Sequence, residues 1–302
     1  MKIWKVLGAV LASASMALLA ACSGTGSPPA SASGKLTVAV AFYPFQFVAE
    51  RVGGDHVAVT NLTSPGTEPH DLELTPKQVA SLSTDDLVIF QSGFQPAVDE
   101  AIAQAAPKRS VDTASFLTLK KAEADDDHAA NDPHTWLDPT NLITTAEHVQ
   151  VALTQARPEA ATEIAANTKA LIGDLTALDA DISADLSSCR ITAFITSHAA
   201  FGYFAARYGL TQVGIRGVEP DVEPSAARIF EVQQIAKDRQ VTTIFFETLV
   251  SPVVATSIAG DLGLKTDVLD PLEGITEDSR GSDYLEVMRA NATALRTANE
   301  CQ

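Results

Sequence analysis

The chain has 302 residues, 46% of them hydrophobic, which is enough for two ordinary domains with buried cores and excludes a disordered tail. With 38 Asp and Glu against 21 Lys and Arg its formal charge is -17, which repels phosphate backbones and leaves no basic patch for nucleic-acid binding. Three cysteines, Cys22, Cys189 and Cys301, are too few and too dispersed for a disulfide-dense scaffold or a four-cysteine zinc module, so any metal site must come from histidines and carboxylates.

Residues 1–21 read as a secretory signal, with Lys2 and Lys5 in a positive leading segment and an apolar run behind them. The run ends Leu19-Ala20-Ala21-Cys22, which resembles the lipobox of bacterial lipoproteins and makes Cys22 the expected site of lipid attachment. The alternative is an ordinary signal with a chance cysteine. Residues 22–34, rich in Ser, Gly, Pro and Ala, form the tether that would follow an anchor. The protein is then expected on the outer face of the cytoplasmic membrane, held by lipid and not crossing the bilayer. In such a compartment the two remaining cysteines, Cys189 and Cys301, most simply form one disulfide, with two free buried thiols as the alternative.

From Lys35 onward short β-branched runs alternate with amphipathic stretches, the pattern of parallel α/β units. Strands are expected at 36–42, 56–62 and 87–91, with helices at 46–52, 76–82 and 96–106. After 158–186 the pattern restarts, with strands at 191–197, 212–215, 241–247 and up to about 270, and helices at 199–208, 226–239, up to 262, and 282–299. The segment 158–186 carries Ile164, Leu171, Leu175, Leu178, Ile182 and Leu186 at spacings of three, four and seven behind a leading proline. At about 1.5 Å per residue such a helix is on the order of 40 Å long, enough to link two lobes. The expected fold is α/β, with two lobes, each a mostly parallel sheet flanked by helices, joined by one long rigid helix. The divisions are 1–21, 22–34, 35–157, 158–188 and 189–302.

Of six histidines, three stand in unusual surroundings. His70 lies in a loop after the second strand, His134 follows a proline in Asp132-Pro133-His134-Thr135-Trp136-Leu137-Asp138-Pro139, and His198 follows an apolar strand. In open α/β sheets ligands collect beyond the carboxyl ends of strands, where Glu247 and Asp270 are also expected. Three neutral imidazoles and a carboxylate suit tetrahedral Zn2+. The histidines lie 64 residues apart at each step, so no local metal motif exists, and each could instead fix a turn or cap a helix. His56 and His148 are expected to be structural.

The segments Glu68-Pro69-His70-Asp71-Leu72-Glu73-Leu74-Thr75-Pro76, Asp132-Pro133-His134-Thr135-Trp136-Leu137-Asp138-Pro139, Thr196-Ser197-His198-Ala199-Ala200-Phe201-Gly202-Tyr203-Phe204 and Glu219-Pro220 through Glu223-Pro224-Ser225 occur in that order. Together they resemble the zinc/manganese-type substrate-binding lipoproteins of ABC importers, the ZnuA-like group. The resemblance implies metal held between two lobes by His70, His134 and His198, and delivery to an ABC permease by a monomeric receptor. It places the fourth ligand on an acidic residue late in the second lobe, for which Asp270 fits best and Glu247 is the rival or a supporting partner. A third histidine in place of a carboxylate favours zinc over manganese. Binding should weaken as falling pH protonates the imidazoles. The stretch 123–131, short and acidic where many zinc-importing relatives carry a His-rich loop, either attracts cations or is a solvated loop.

Two other functions are open to such a sequence. A surface zinc hydrolase would use Glu247 or Glu68 as base, but His-Glu-x-x-His is missing and a fourth protein ligand would close the position that water needs. An adhesin is the remaining alternative, and no residue argues for a separate adhesive site. Trp136, two residues from His134, should report metal entry by its fluorescence.

Overall fold

A computed structural model describes residues 34–122 and 131–302. The expected signal segment, Cys22, the tether as far as residue 33 and the acidic stretch 123–130 lie outside the described residues.

The first sheet is built from β1 (Leu36–Val40), β2 (Val57–Asn61), β3 (Leu87–Phe90) and β4 (Ser110–Asp112), all parallel in the order β2-β1-β3-β4. Helices α1 (Tyr43–Gly53), α2 (Pro76–Leu82) and α3 (Pro96–Ala105) connect and flank the strands. Each of the three has a proline in its first turn, where the missing N–H costs nothing. Thr75 and Gln78 add a reciprocal capping box to α2. The chain then runs through α4 (Pro139–Ala156), a single 3-10 turn at Pro158–Ala160, and α5 (Ala161–Asp185).

The second sheet repeats the topology of the first. Strands β5 (Ala193–Thr196), β6 (Thr211–Gly214), β7 (Thr243–Phe246) and β8 (Lys265–Val268) are parallel in the order β6-β5-β7-β8. They alternate with α6 (Gly202–Arg207), α7 (Ala226–Asp238) and α8 (Val253–Leu262), and α9 (Tyr284–Ala298) follows. The α/β class with two parallel sheets flanked by helices is therefore as the sequence pattern implies.

Strands β3 and β5 are buried along their whole length, as expected when helices cover both faces. Alternation along β5 divides its side chains between two cores. Ala193 and Ile195 pack with Val232 of α7 and Ile258 of α8, while Phe194 joins a larger cluster that includes β1, β3, α4, α5 and α9. Ile164, Leu171, Leu175, Leu178 and Ile182 are all at most 1% exposed, so the leucine-spaced stripe read from the sequence is the buried face of α5. That face packs on α1 and α4 from the first half of the chain and on α9 from the second. Among the described residues no helix is long and apolar enough to cross a membrane. Cys189 and Cys301 are joined by a disulfide, beside a backbone pairing in which Ile191 N–H donates to Asn299 C=O.

One helix starts later than its pattern suggests. Residues 199–201 are not the first turn of α6 but part of a tight turn at 197–201 beyond β5, with Ala199 N–H donating to Gly217 C=O. Gly214 permits this approach: a Cβ there would lie 2.9 Å from the Ala199 Cβ and 2.4 Å from a backbone oxygen. The turn is what presents His198.

Candidate metal centre

Each site residue is fixed by its own local structure. His70 is held in its loop between β2 and α2 by the Glu68 carboxylate, which accepts the backbone N–H groups of His70 and Asp71 at 2.9 and 3.4 Å. The Gln95 amide donates to Pro69 C=O, and the Phe94 ring meets the imidazole edge-on with centroids 4.7 Å apart. His134 precedes a 3-10 turn at Thr135–Leu137, and Asp132 Oδ1 lies 2.9 Å from both its backbone nitrogen and its ring Nδ1. Gln91, at the end of β3, secures the turn by donating to Pro133 C=O and accepting from Thr135 Oγ1. His198 stands beyond β5, where Glu247, just beyond β7, lies 2.9 Å from its Nδ1 and accepts from Ser197 Oγ. These two strands flank the point where the second sheet's strand order reverses, the usual ligand position in such folds.

The three rings converge with Glu273, which stands in the loop between β8 and α9. One ligating atom from each of the four lies within 4.8 Å of every other. Glu273 Oε1 is 3.4 Å from Nε2 of His70, 3.2 Å from Nε2 of His134 and 3.6 Å from Nε2 of His198, and the last two nitrogens are 3.2 Å apart. A tetrahedral ion with bonds near 2.0–2.1 Å sets its donors about 3.3–3.4 Å apart. The observed separations of 3.2–3.6 Å bracket that value. All four residues are buried, at most 4% exposed.

The three Nδ1 atoms all face carboxylates: Asp132 for His134, Glu247 for His198, and Glu219 for His70 at 3.2 Å. Such partners orient an imidazole and raise its basicity as a ligand through the opposite nitrogen. They leave every Nε2 aimed at the common centre.

The buried charges call for a cation. Burial alone would pull His70 down, but the carboxylates of Glu219, Glu273 and Glu68 outweigh it and push the ring up to about 10. His198 is likewise raised, burial being overcome by Glu247 and Glu273. Burial would lift Glu273, yet its contacts with His134, His198 and His70 hold it well below the usual carboxylate range. Glu68, with burial the largest cause, is pushed up to about 8. Glu273 Oε2 is buried without a hydrogen-bond partner. In this place positive charge at the centre is strongly favoured, whether as protons or as an ion.

The structure thus brings together His70, His134 and His198, but not Asp270. That residue is spent on the turn leading to Glu273: its Oδ1 accepts the Leu272 N–H at 2.8 Å and its Oδ2 accepts from Ser279 Oγ at 2.9 Å. Leu272 has φ +60°, an unusual value for a residue with a side chain, and the Asp270 bond helps to hold it there. Burial pushes the Asp270 carboxyl up to about 6. Glu247 does not face the centre and instead backs His198. A place at a strand end favours Asp270 over Glu273, although an acidic side chain set between Leu272 and Gly274-Ile275 is itself a signal. The roles of Asp132 and Glu219 as imidazole partners also had no local signature. His56 pairs with Glu163 at 2.7 Å, and His148 stacks on Phe116.

Comparison with known proteins gives the arrangement a context. Residues 38–298 match the family described as zinc-uptake complex component A, periplasmic, ZnuA. The chain is 34% identical over 311 residues to the zinc-binding lipoprotein AdcA of Streptococcus pneumoniae, covering 98% of this chain and 61% of that protein. It therefore spans about three fifths of the length of that relative. It is 32% identical over 307 residues to the high-affinity zinc uptake system protein ZnuA of Bacillus subtilis, covering 96% of each. The crystal structure of the Zn(II)-bound ZnuA-like domain of the pneumococcal AdcA superposes with a TM-score of 0.76 at 33% identity, over 88% of this chain and all of that one.

Proposed function

Because this chain belongs to the ZnuA family of zinc-uptake components, we propose that it is an extracytoplasmic receptor that captures Zn2+ on His70, His134, His198 and Glu273 and delivers it to an ABC permease for import. The observation that carries the reading is the convergence of three imidazole nitrogens and one carboxylate oxygen at separations of 3.2–3.6 Å, with a carboxylate behind every ring. Three nitrogens and one oxygen suit zinc better than manganese, which prefers an oxygen-rich set. Glu273 takes the fourth corner, the position that a catalytic zinc would keep for water, so the donor set speaks for holding the ion rather than using it.

Buried rings backed by carboxylates favour tight capture, because little rearrangement is needed when the ion arrives. Residues 35–157 and 189–302 supply two donors each and act as the two lobes, with the helical segment 158–188 as the rigid link between them. A signal at 1–21, lipid on Cys22 and the tether up to residue 34 would hold the receptor, as a monomer, on the outer face of the membrane beside its permease. The curated relatives named lipoproteins support this placement.

The test is titration of metal-free protein with Zn2+ and Mn2+, followed by Trp136 fluorescence and paired with elemental analysis of the purified protein. Zinc should bind tightly and in preference to manganese, and alanine at His70, His134, His198 or Glu273 should each weaken it. Absence of tight zinc binding, or four alanine variants with intact affinity, would overturn the assignment. Labelling with a radioactive fatty acid that is lost in Cys22→Ala tests the anchor.

A further inference from the structure

Two of the three carboxylates behind the imidazoles come from the same half of the chain as their ring. Asp132 serves His134 from two residues away, and Glu247 serves His198 from the neighbouring strand end. Glu219 differs. It lies between β6 and α7 in the second half, yet its Oε2 stands 3.2 Å from Nδ1 of His70, in the loop between β2 and α2 of the first half. The three carboxylate side chains also differ in exposure: 7% for Asp132, 3% for Glu247 and 38% for Glu219. The His70 contact is the longest of the three and falls short of an aligned hydrogen bond.

The loop that carries Glu219 is itself firmly seated beside the centre. Gly217 C=O accepts from Ala199 N–H at 2.8 Å, Arg216 N–H donates to Ser197 C=O at 3.0 Å, and the flanking Val218 and Pro220 are buried. The Glu219 backbone is thereby tied to the turn that presents His198, while its side chain reaches across to His70.

We propose that Glu219 is the positioning residue that retains the bound ion: its carboxylate, supplied by the second half and open to solvent, clamps His70 of the first half in its ligating orientation. This rests on the zinc-receptor reading and deepens it. The ion is held by donors from both halves, and so is this clamp. Separation of the halves would remove the support of His70 together with the donors of the second half. Of the three carboxylates behind the site imidazoles, Glu219 is the one that solvent, or a docked permease, can readily reach without opening the centre. It should govern how fast zinc leaves rather than how fast it arrives.

The experiment uses the full chain loaded with one equivalent of Zn2+, with release followed by stopped-flow transfer to a chromophoric chelator and capture followed by Trp136 fluorescence. Loss of an outer partner of a metal-bound histidine typically costs about 10–100-fold in affinity. Glu219→Ala should release zinc faster by that order while its capture rate stays close to wild type. Glu219→Gln, which keeps shape and an acceptor oxygen, should fall between the two. The metal-free variants should melt with the wild type, a readout that collapse of the loop would move. Glu223→Gln is the control: it removes the same charge from an exposed carboxylate of the same loop, paired with Arg216 at 3.3 Å, and should release zinc at the wild-type rate.

Unchanged release in Glu219→Ala, an equal effect in Glu223→Gln, a defect confined to capture, or a lowered melting temperature of the metal-free Glu219→Gln protein would each overturn the proposal. If the wild-type protein held no zinc, the receptor reading would fall as well. If it held zinc and only the Glu219 effect were missing, the receptor reading would stand and the clamp would not.

Discussion

The indole N–H of Trp136 donates to the carbonyl of Pro271 at 2.7 Å, tying the residue two after His134 to the residue two before Glu273. The Tyr284 hydroxyl adds a second tie by donating to the Trp136 carbonyl at 2.7 Å. Trp136 is 1% exposed, and its ring centroid is 5.1 Å from that of His134. Trp136→Phe keeps the aromatic packing but leaves the Pro271 carbonyl without this donor, a loss of about 1–3 kcal/mol for a buried group. Denaturant melting of the metal-free protein should register that loss, and zinc affinity should fall with it. Unchanged values of both would mean that the tie does not set the Glu273 loop.

Glu273 and Asp270 stand three residues apart with different tasks, and substitution should separate them. Glu273→Ala removes a donor from the centre and should weaken zinc binding more than any change behind the donors. Asp270→Asn keeps an oxygen for the Leu272 N–H but loses the acceptor for Ser279 Oγ, which loosens the turn and should cost roughly 10-fold in affinity, the lower range for groups that act through a ligand. Competition against a calibrated chelator measures both, and an Asp270→Asn defect as large as that of Glu273→Ala would contradict the assignment.

The Arg207 guanidinium grips Asp179 of α5 through two contacts, Nε to Oδ1 at 2.9 Å and Nη2 to Oδ2 at 2.5 Å, and the Tyr208 hydroxyl donates to the same carboxylate at 3.0 Å. Arg207 holds the Asp179 carboxyl below its usual range, against the effect of burial and with help from Tyr208. A native pKa below the unfolded one stabilises above the unfolded value, about 3.9 for Asp, and the benefit is lost as pH falls from there through the native pKa. The pair is partly solvated, so its worth is roughly 1 kcal/mol or less. Asp179→Asn should therefore be less stable than wild type at neutral pH, with the gap closing below about pH 4. A gap that persists undiminished in acid would assign the effect to packing instead.

Leu175 is fully buried in the stripe of α5, among side chains from both halves of the chain. Leu175→Ala should cost about 2–5 kcal/mol in denaturant unfolding, while Ala177→Ser on the exposed face should change stability by less than about 0.5 kcal/mol.

Much of this was legible in the sequence, and the remainder failed for identifiable reasons. Repeated apolar residues at helical spacing gave α5, because six positions obeying one period leave little room for another structure. In α4 the apolar stripe is diluted by Thr140, Thr144, Thr145 and Thr154, and Ile143, Val149 and Val151 are β-branched, which weakens the helical signal. Strand β4 has three residues, too few for a pattern. His70, His134 and His198 were legible as candidates from their positions beside prolines or beyond a strand. The role of Glu273 is not legible there, since its aim depends on the positive φ of Leu272 and on the use of Asp270 as a turn-former. The contact between His70 and Glu219 joins residues 149 positions apart, as their numbers show, and only the folded chain brings them together.

The bond between Cys189 and Cys301 closes a covalent ring around β5 to β8 and α6 to α9. His198, Glu219, Glu247 and Glu273 ride inside that ring, and His70 and His134 lie outside it. A protease that nicks the exposed stretch at 221–223 cuts the polypeptide without severing the molecule, because the two pieces stay linked through sulfur. Half of the donor set therefore cannot be shed by a single cut within the ring, an endurance that would suit the extracytoplasmic placement proposed above.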